Sequence, residues 1–79
     1  FLMGKNYRSM GEPSKAVSYL KPILANPNSK VYEESKWELV QSYLMMNKTR
    51  PAKRILQSLI EKDNPYQEQA KVQLDSLKN

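Results

Sequence analysis

An all-α fold built from helical hairpins follows from three observations. Apolar residues recur at three- and four-residue spacing along most of the chain. Helix-ending and helix-opening residues punctuate that pattern at Gly11–Pro13, Asn26–Ser29, Asn47–Pro51 and Asn64–Pro65. The pattern also repeats: Tyr7 and Tyr43, Met10 and Met46, Ala16 and Ala52, and Leu20 and Leu56 each lie 36 positions apart. No segment alternates with a period of two over a useful length, and β-branched residues are few, which argues against strands.

Phe1, Met3, Tyr7 and Met10 are spaced for a first helix that Gly11 would end in a left-handed conformation. Glu12–Pro13–Ser14 opens the next helix, with Pro13 suited to a first turn. Its face is Ala16, Val17, Leu20, Ile23 and Leu24, and Pro22 predicts a kink or an early end. Asn26–Ser29 is a turn, with Asn28 or Ser29 placed to cap the third helix. That helix, residues 30–46, is the longest. Tyr32, Leu39, Val40, Tyr43 and the stem of Lys36 face inward, and Glu33 and Glu34 favour its N-terminal dipole. Asn47 repeats the role of Gly11. Thr49 is placed to cap a helix with Pro51 in its first turn and an apolar stripe of Ala52, Ile55, Leu56, Leu59 and Ile60. Asn64, Pro65 and Gln67 read as a capping box for a last helix carrying Tyr66, Ala70, Leu74 and Leu77. Lys71, Gln73, Asp75 and Lys78 make its other side polar.

Two hairpins therefore stand in register, and a final helix comes at a shorter offset: Tyr32 to Tyr66 and Val40 to Leu74 are each 34. Such a period, with two helices per unit, marks a helical solenoid, in which units stack because none buries its apolar face alone. The chain resembles the tetratricopeptide repeat. Leu39, Tyr43, Ala52, Leu56 and Leu59 carry the likeness in one unit, and Met3, Gly4, Tyr7, Ala16, Leu20 and Ile23 in the other. Val40 stands where the family favours a small residue, and Trp37 lies one place later than the family's usual tryptophan. The resemblance implies antiparallel hairpins stacked as a right-handed α-α superhelix. We expect a single domain over 1–79: a first unit over 1–27 truncated at its start, a second over 28–63 and a capping helix over 64–79. The apolar opening FLMG suggests the C-terminal part of a longer chain, entered in mid-element.

Composition narrows the chemistry. Cysteine and histidine are both absent, which removes thiolate nucleophiles, sulfur ligands and the commonest general base and metal ligand. Two glycines do not make a phosphate-cradling loop. The expectation is a non-catalytic chain without cofactor or metal. Strictly apolar runs such as Leu44–Met46 reach only three residues, far too short to span a membrane. Thirteen Lys and Arg against eight Asp and Glu leave a charge of +5, a weak pointer to an acidic partner or nucleic acid. Composition does not choose a compartment; cytoplasm and periplasm both fit.

The resemblance further implies that the first helices of successive units line a concave binding surface. Matching positions are Leu2, Lys5, Arg8 and Ser9, then Glu34, Trp37, Glu38, Gln41, Leu44 and Met45. Trp37, Leu44 and Met45 would make an apolar patch flanked by Glu34, Glu38 and Gln41. The competing reading packs Trp37 between helices as core. Some family members grip C-terminal carboxylates with clustered Lys, Asn and Arg. Here the matching positions hold Phe1, Lys5, Trp37, Glu38 and Gln41, and only Lys5 has the charge for it. Lys48, Arg50, Lys53 and Arg54 form a basic cluster at the central turn. It would suit phosphates in a nucleic-acid-binding domain, but a solvated helix face explains it without aromatic platforms. Glu33, Glu34 and Glu38 read as solvated charge, since no nucleophile or cleft accompanies them. The leading expectation is a protein–protein interaction or assembly scaffold that binds a peptide or partner helix in the groove. The alternatives are nucleic-acid binding, and a structural spacer or self-association through the first helix.

Overall fold

The computed structural model describes residues 10–77. The helix expected before Gly11 lies outside them, apart from Met10, which sits in the turn. Four α-helices are described: α1 (Pro13–Leu20), α2 (Tyr32–Met45), α3 (Thr49–Glu61) and α4 (Gln67–Leu77). A 3-10 segment, Lys21–Ala25, continues α1, and the described residues contain no strand.

Local chemistry accounts for these boundaries. Pro13 takes a first-turn position in α1, where a missing N–H costs nothing. Pro22 cannot donate to the ladder, and α1 tightens there into the 3-10 segment instead of running on. Gly11 and Asn47 both adopt positive φ, at 77° and 59°. Asn47 completes a Schellman turn. Its own N–H donates to the Leu44 carbonyl at 3.1 Å, and the Lys48 N–H donates to the Tyr43 carbonyl at 2.8 Å. The short connection that results folds α3 back along α2. Glu33 and Glu34 occupy the first turn of α2, as its dipole favours.

The caps differ from expectation. Neither Asn28 nor Ser29 caps α2 itself, though Ser29 Oγ accepts the Val31 N–H just ahead of it, at 3.3 Å. Thr49 is the first residue of α3, and no side chain caps that helix. The box at Asn64 and Gln67 does not close. Asn64 Oδ1 accepts the Tyr66 N–H at 2.9 Å, but Gln67 Nε2 turns back to the Ile60 carbonyl at 2.8 Å. The cause lies in α3. It ends at Lys62 in extended conformation without a left-handed residue, so its last carbonyls need donors from elsewhere. Asn64 Nδ2 supplies two, to Leu59 and Lys62, both at 2.8 Å.

Successive helices pack against one another: α1 and the 3-10 segment on α2, α2 on α3, α3 on α4. The shared core holds Ala16 and Leu20, then Leu39, Val40 and Tyr43, then Ala52, Leu56 and Leu59, and finally Ala70 and Leu74. Ala16, Ala52 and Ala70 are buried small residues that allow backbones to approach. Lys36 is half-buried by its stem. Its ammonium lies 4.6 Å from the centre of the Tyr32 ring and donates to Ser58 Oγ at 2.6 Å. The described helices thus pack in sequence over a common core, consistent with the helical arrangement the repeat implies.

Candidate partner-binding groove

The groove lies between α2 and α4, helices that α3 holds side by side without close backbone contact. Its α2 wall is Trp37, and its α4 wall is Glu68, Gln69, Val72, Gln73 and Ser76. It is open to solvent and has a volume of about 470 Å³. Ligand pockets typically hold roughly 300–1,000 Å³.

Trp37 is half-buried, packs against the core and stacks on Tyr66, with ring centroids 5.7 Å apart and planes 19° apart. Its remaining edge faces the groove. Tyr66 belongs to the turn before α4, so the stack fixes that helix's entry relative to α2. Further along, Gln41 Nε2 donates to Gln73 Oε1 at 2.9 Å, and Gln73 Nε2 donates back to Gln41 Oε1 at 3.4 Å. This amide pair ties the two walls together.

The other expected residues fall in several places. Lys5 and Arg8 lie outside the described residues. Glu34 is half-buried at the start of α2. Glu38 is buried, only 5% exposed, and stands away from the open wall. Leu44 packs against the core, while Met45 is 48% exposed at the end of α2; neither lines the groove. Lys48, Arg50 and Arg54 are exposed and Lys53 half-buried, around the α2–α3 turn and remote from the groove lining. Glu33 lines a second, smaller cavity with Lys36, Ser58, Lys62 and Asp63. Among the described residues no cluster of acidic side chains is arranged to hold a metal ion, and no helix is long and apolar enough to cross a membrane.

Sequence reasoning missed the α4 wall. Val72 is 70% exposed and lines the same groove as Trp37, yet a helix with Ala70, Leu74 and Leu77 on one face left it among polar neighbours. A bulky apolar residue off the core stripe was the available signal.

Helices that pack one on the next, with an open groove between α2 and α4, define a helical-repeat architecture. The tetratricopeptide repeat family model matches residues 34–63, from the first turn of α2 to just beyond α3, and this hairpin is tetratricopeptide-repeat-like. Such repeats generally serve as protein–protein interaction scaffolds. Comparison with curated proteins and with solved structures found no match.

Proposed function

We propose that this chain is a non-catalytic interaction module that holds a peptide or partner helix in the groove between α2 and α4. One observation carries the reading: an open apolar slot has Trp37 on one side and exposed Val72 on the other, and no side chain of the described protein fills it. Tryptophan is a frequent anchor at interfaces. Leaving two such groups facing solvent across a gap forfeits burial that an occupant would restore. On the α2 side Gln41 adjoins the slot through its amide pair with Gln73.

Selection of peptides from a random library, followed by titration of the winners, tests the proposal. Val72→Ser and Trp37→Phe should each weaken the selected peptides by about tenfold, the usual effect of losing one good contact of about 1.4 kcal/mol. Val72→Ser should leave helicity unchanged, because Val72 is exposed. Peptides that bind both variants as they bind the parent would place the partner surface elsewhere.

A further inference from the structure

We propose that the groove selects a cationic–apolar segment of a partner chain: an apolar side chain seated between Trp37 and Val72, flanked by a lysine or arginine that meets Glu68. The inference rests on the docking reading above and adds the chemistry of the occupant. It stands on three features of the groove.

The first is a repeat register. At the offset of 34 that relates α4 to α2, Gln69, Val72, Gln73 and Ser76 correspond to Ser35, Glu38, Leu39 and Ser42. All four α2 residues are buried. Their α4 counterparts are exposed or half-exposed, and all four line the groove. The face that is covered in one helix is therefore open in its copy. Its counterpart in α2 shows that this face of the helix accepts full cover.

The second is charge. Among the described residues Glu68 is the one ionised group that lines the groove, and no described Lys or Arg pairs with it. Its counterpart at the same register position, Glu34, is engaged in an interaction. The chain carries thirteen Lys and Arg, yet none of those described lines the groove. An acidic segment placed there would meet a carboxylate and find no cation. A basic one gains a charge-assisted hydrogen bond.

The third is the neutral polar rim. Gln69, Gln73 and Ser76 carry groups that both donate and accept, which suits a partner's main-chain amides. Gln73 already presents its amide in a fixed orientation through Gln41.

The chain contains one tryptophan, so its intrinsic emission reports on the groove. The test titrates the whole chain with three short peptides free of Trp and Tyr. All share a central Leu–Phe pair, flanked by Lys, by Gln or by Glu. Salt of about 0.15 M screens the distant charges of the chain over about 8 Å but leaves a contact pair intact. The Lys-flanked peptide should bind about fivefold or more tightly than the Glu-flanked one, the upper range for an exposed ion pair. Glu68→Gln should erase the ranking, Glu68→Lys should invert it, and Val72→Ser should weaken all three alike. Glu68 and Val72 are both exposed, so circular dichroism should show the fold unchanged in each variant.

A Glu-flanked peptide that binds as well as the Lys-flanked one overturns the inference, as does a ranking that survives Glu68→Lys. If Lys- and Gln-flanked peptides bind equally and Val72→Ser weakens both, the docking function stands and the charge selection falls. If none of the three perturbs the emission at millimolar concentration, both fall. Self-association on sedimentation that Val72→Ser abolishes would put a second copy in the groove, and that also overturns the proposal.

Discussion

Trp37 and Tyr66 lie 29 positions apart in the chain and stack face to face at 5.7 Å, one on the wall of α2 and the other in the turn that launches α4. The pair joins core to groove: whatever disturbs it moves the last helix. Leucine at either position keeps apolar bulk and removes the ring pair. A double-mutant cycle of Trp37→Leu and Tyr66→Leu in urea should therefore return a coupling of about 0.5–1.5 kcal/mol. A coupling near zero would mean that the two rings are held independently by the core.

Ser35 is wholly buried, and its hydroxyl oxygen has no hydrogen-bond partner among the described residues. Ser42, on the same face further along the helix, donates to the Glu38 carbonyl at 3.0 Å. Alanine at 35 removes an unsatisfied group and should stabilise by about 1 kcal/mol, raising Tm by roughly 4–8 °C for a domain of this size. Alanine at 42 should gain nothing. Equal melting temperatures for Ser35→Ala and the parent would show that the Ser35 hydroxyl is satisfied in solution.

Asn47 holds a left-handed conformation at φ 59°. Glycine there should be neutral or mildly stabilising. Valine should cost about 1–2 kcal/mol, because a branched Cβ crowds the carbonyl in that region. Chemical denaturation of the two variants reads this contrast. A valine variant as stable as the glycine one would mean that the turn relaxes out of the Schellman geometry.

Asn64 supplies one acceptor and two donors to the end of α3 and the approach to α4. Aspartate is an excellent helix cap, yet it can replace only the acceptor. Asn64→Asp should cost about 1–3 kcal/mol, the penalty for stranding partly buried carbonyls. An aspartate variant of full stability would make the Tyr66 N–H bond the only one of the three that matters.

The backbone punctuation was legible because it rests on single-residue constraints. Gly11 and Asn47 are the residues that tolerate positive φ, and Pro22 ends a ladder wherever it sits. The apolar rows from Ala16 to Leu74 were legible because period and burial go together. The caps of α3 and α4 were harder to read. Asn64 and Gln67 have the right spacing for a box, but a neighbouring helix end with unpaired carbonyls competes for their amides. The groove was legible on one side only. Trp37 stands out in any sequence, whereas the roles of Val72, Gln73 and Tyr66 depend on where α4 comes to rest against α2. Glu38 shows the converse failure: a carboxylate on a helix reads as solvated until packing encloses it.

The reciprocal amide pair of Gln41 and Gln73 sets how far apart the two walls stand. Each of its bonds is worth about 0.5–1.5 kcal/mol, less than one well-packed leucine. The span is therefore compliant, a clasp rather than a mould. A larger guest can exchange that pair for its own amides at little net cost. Discrimination by girth should be shallow here, and what selectivity the groove has should come from charge and hydrogen-bonding pattern.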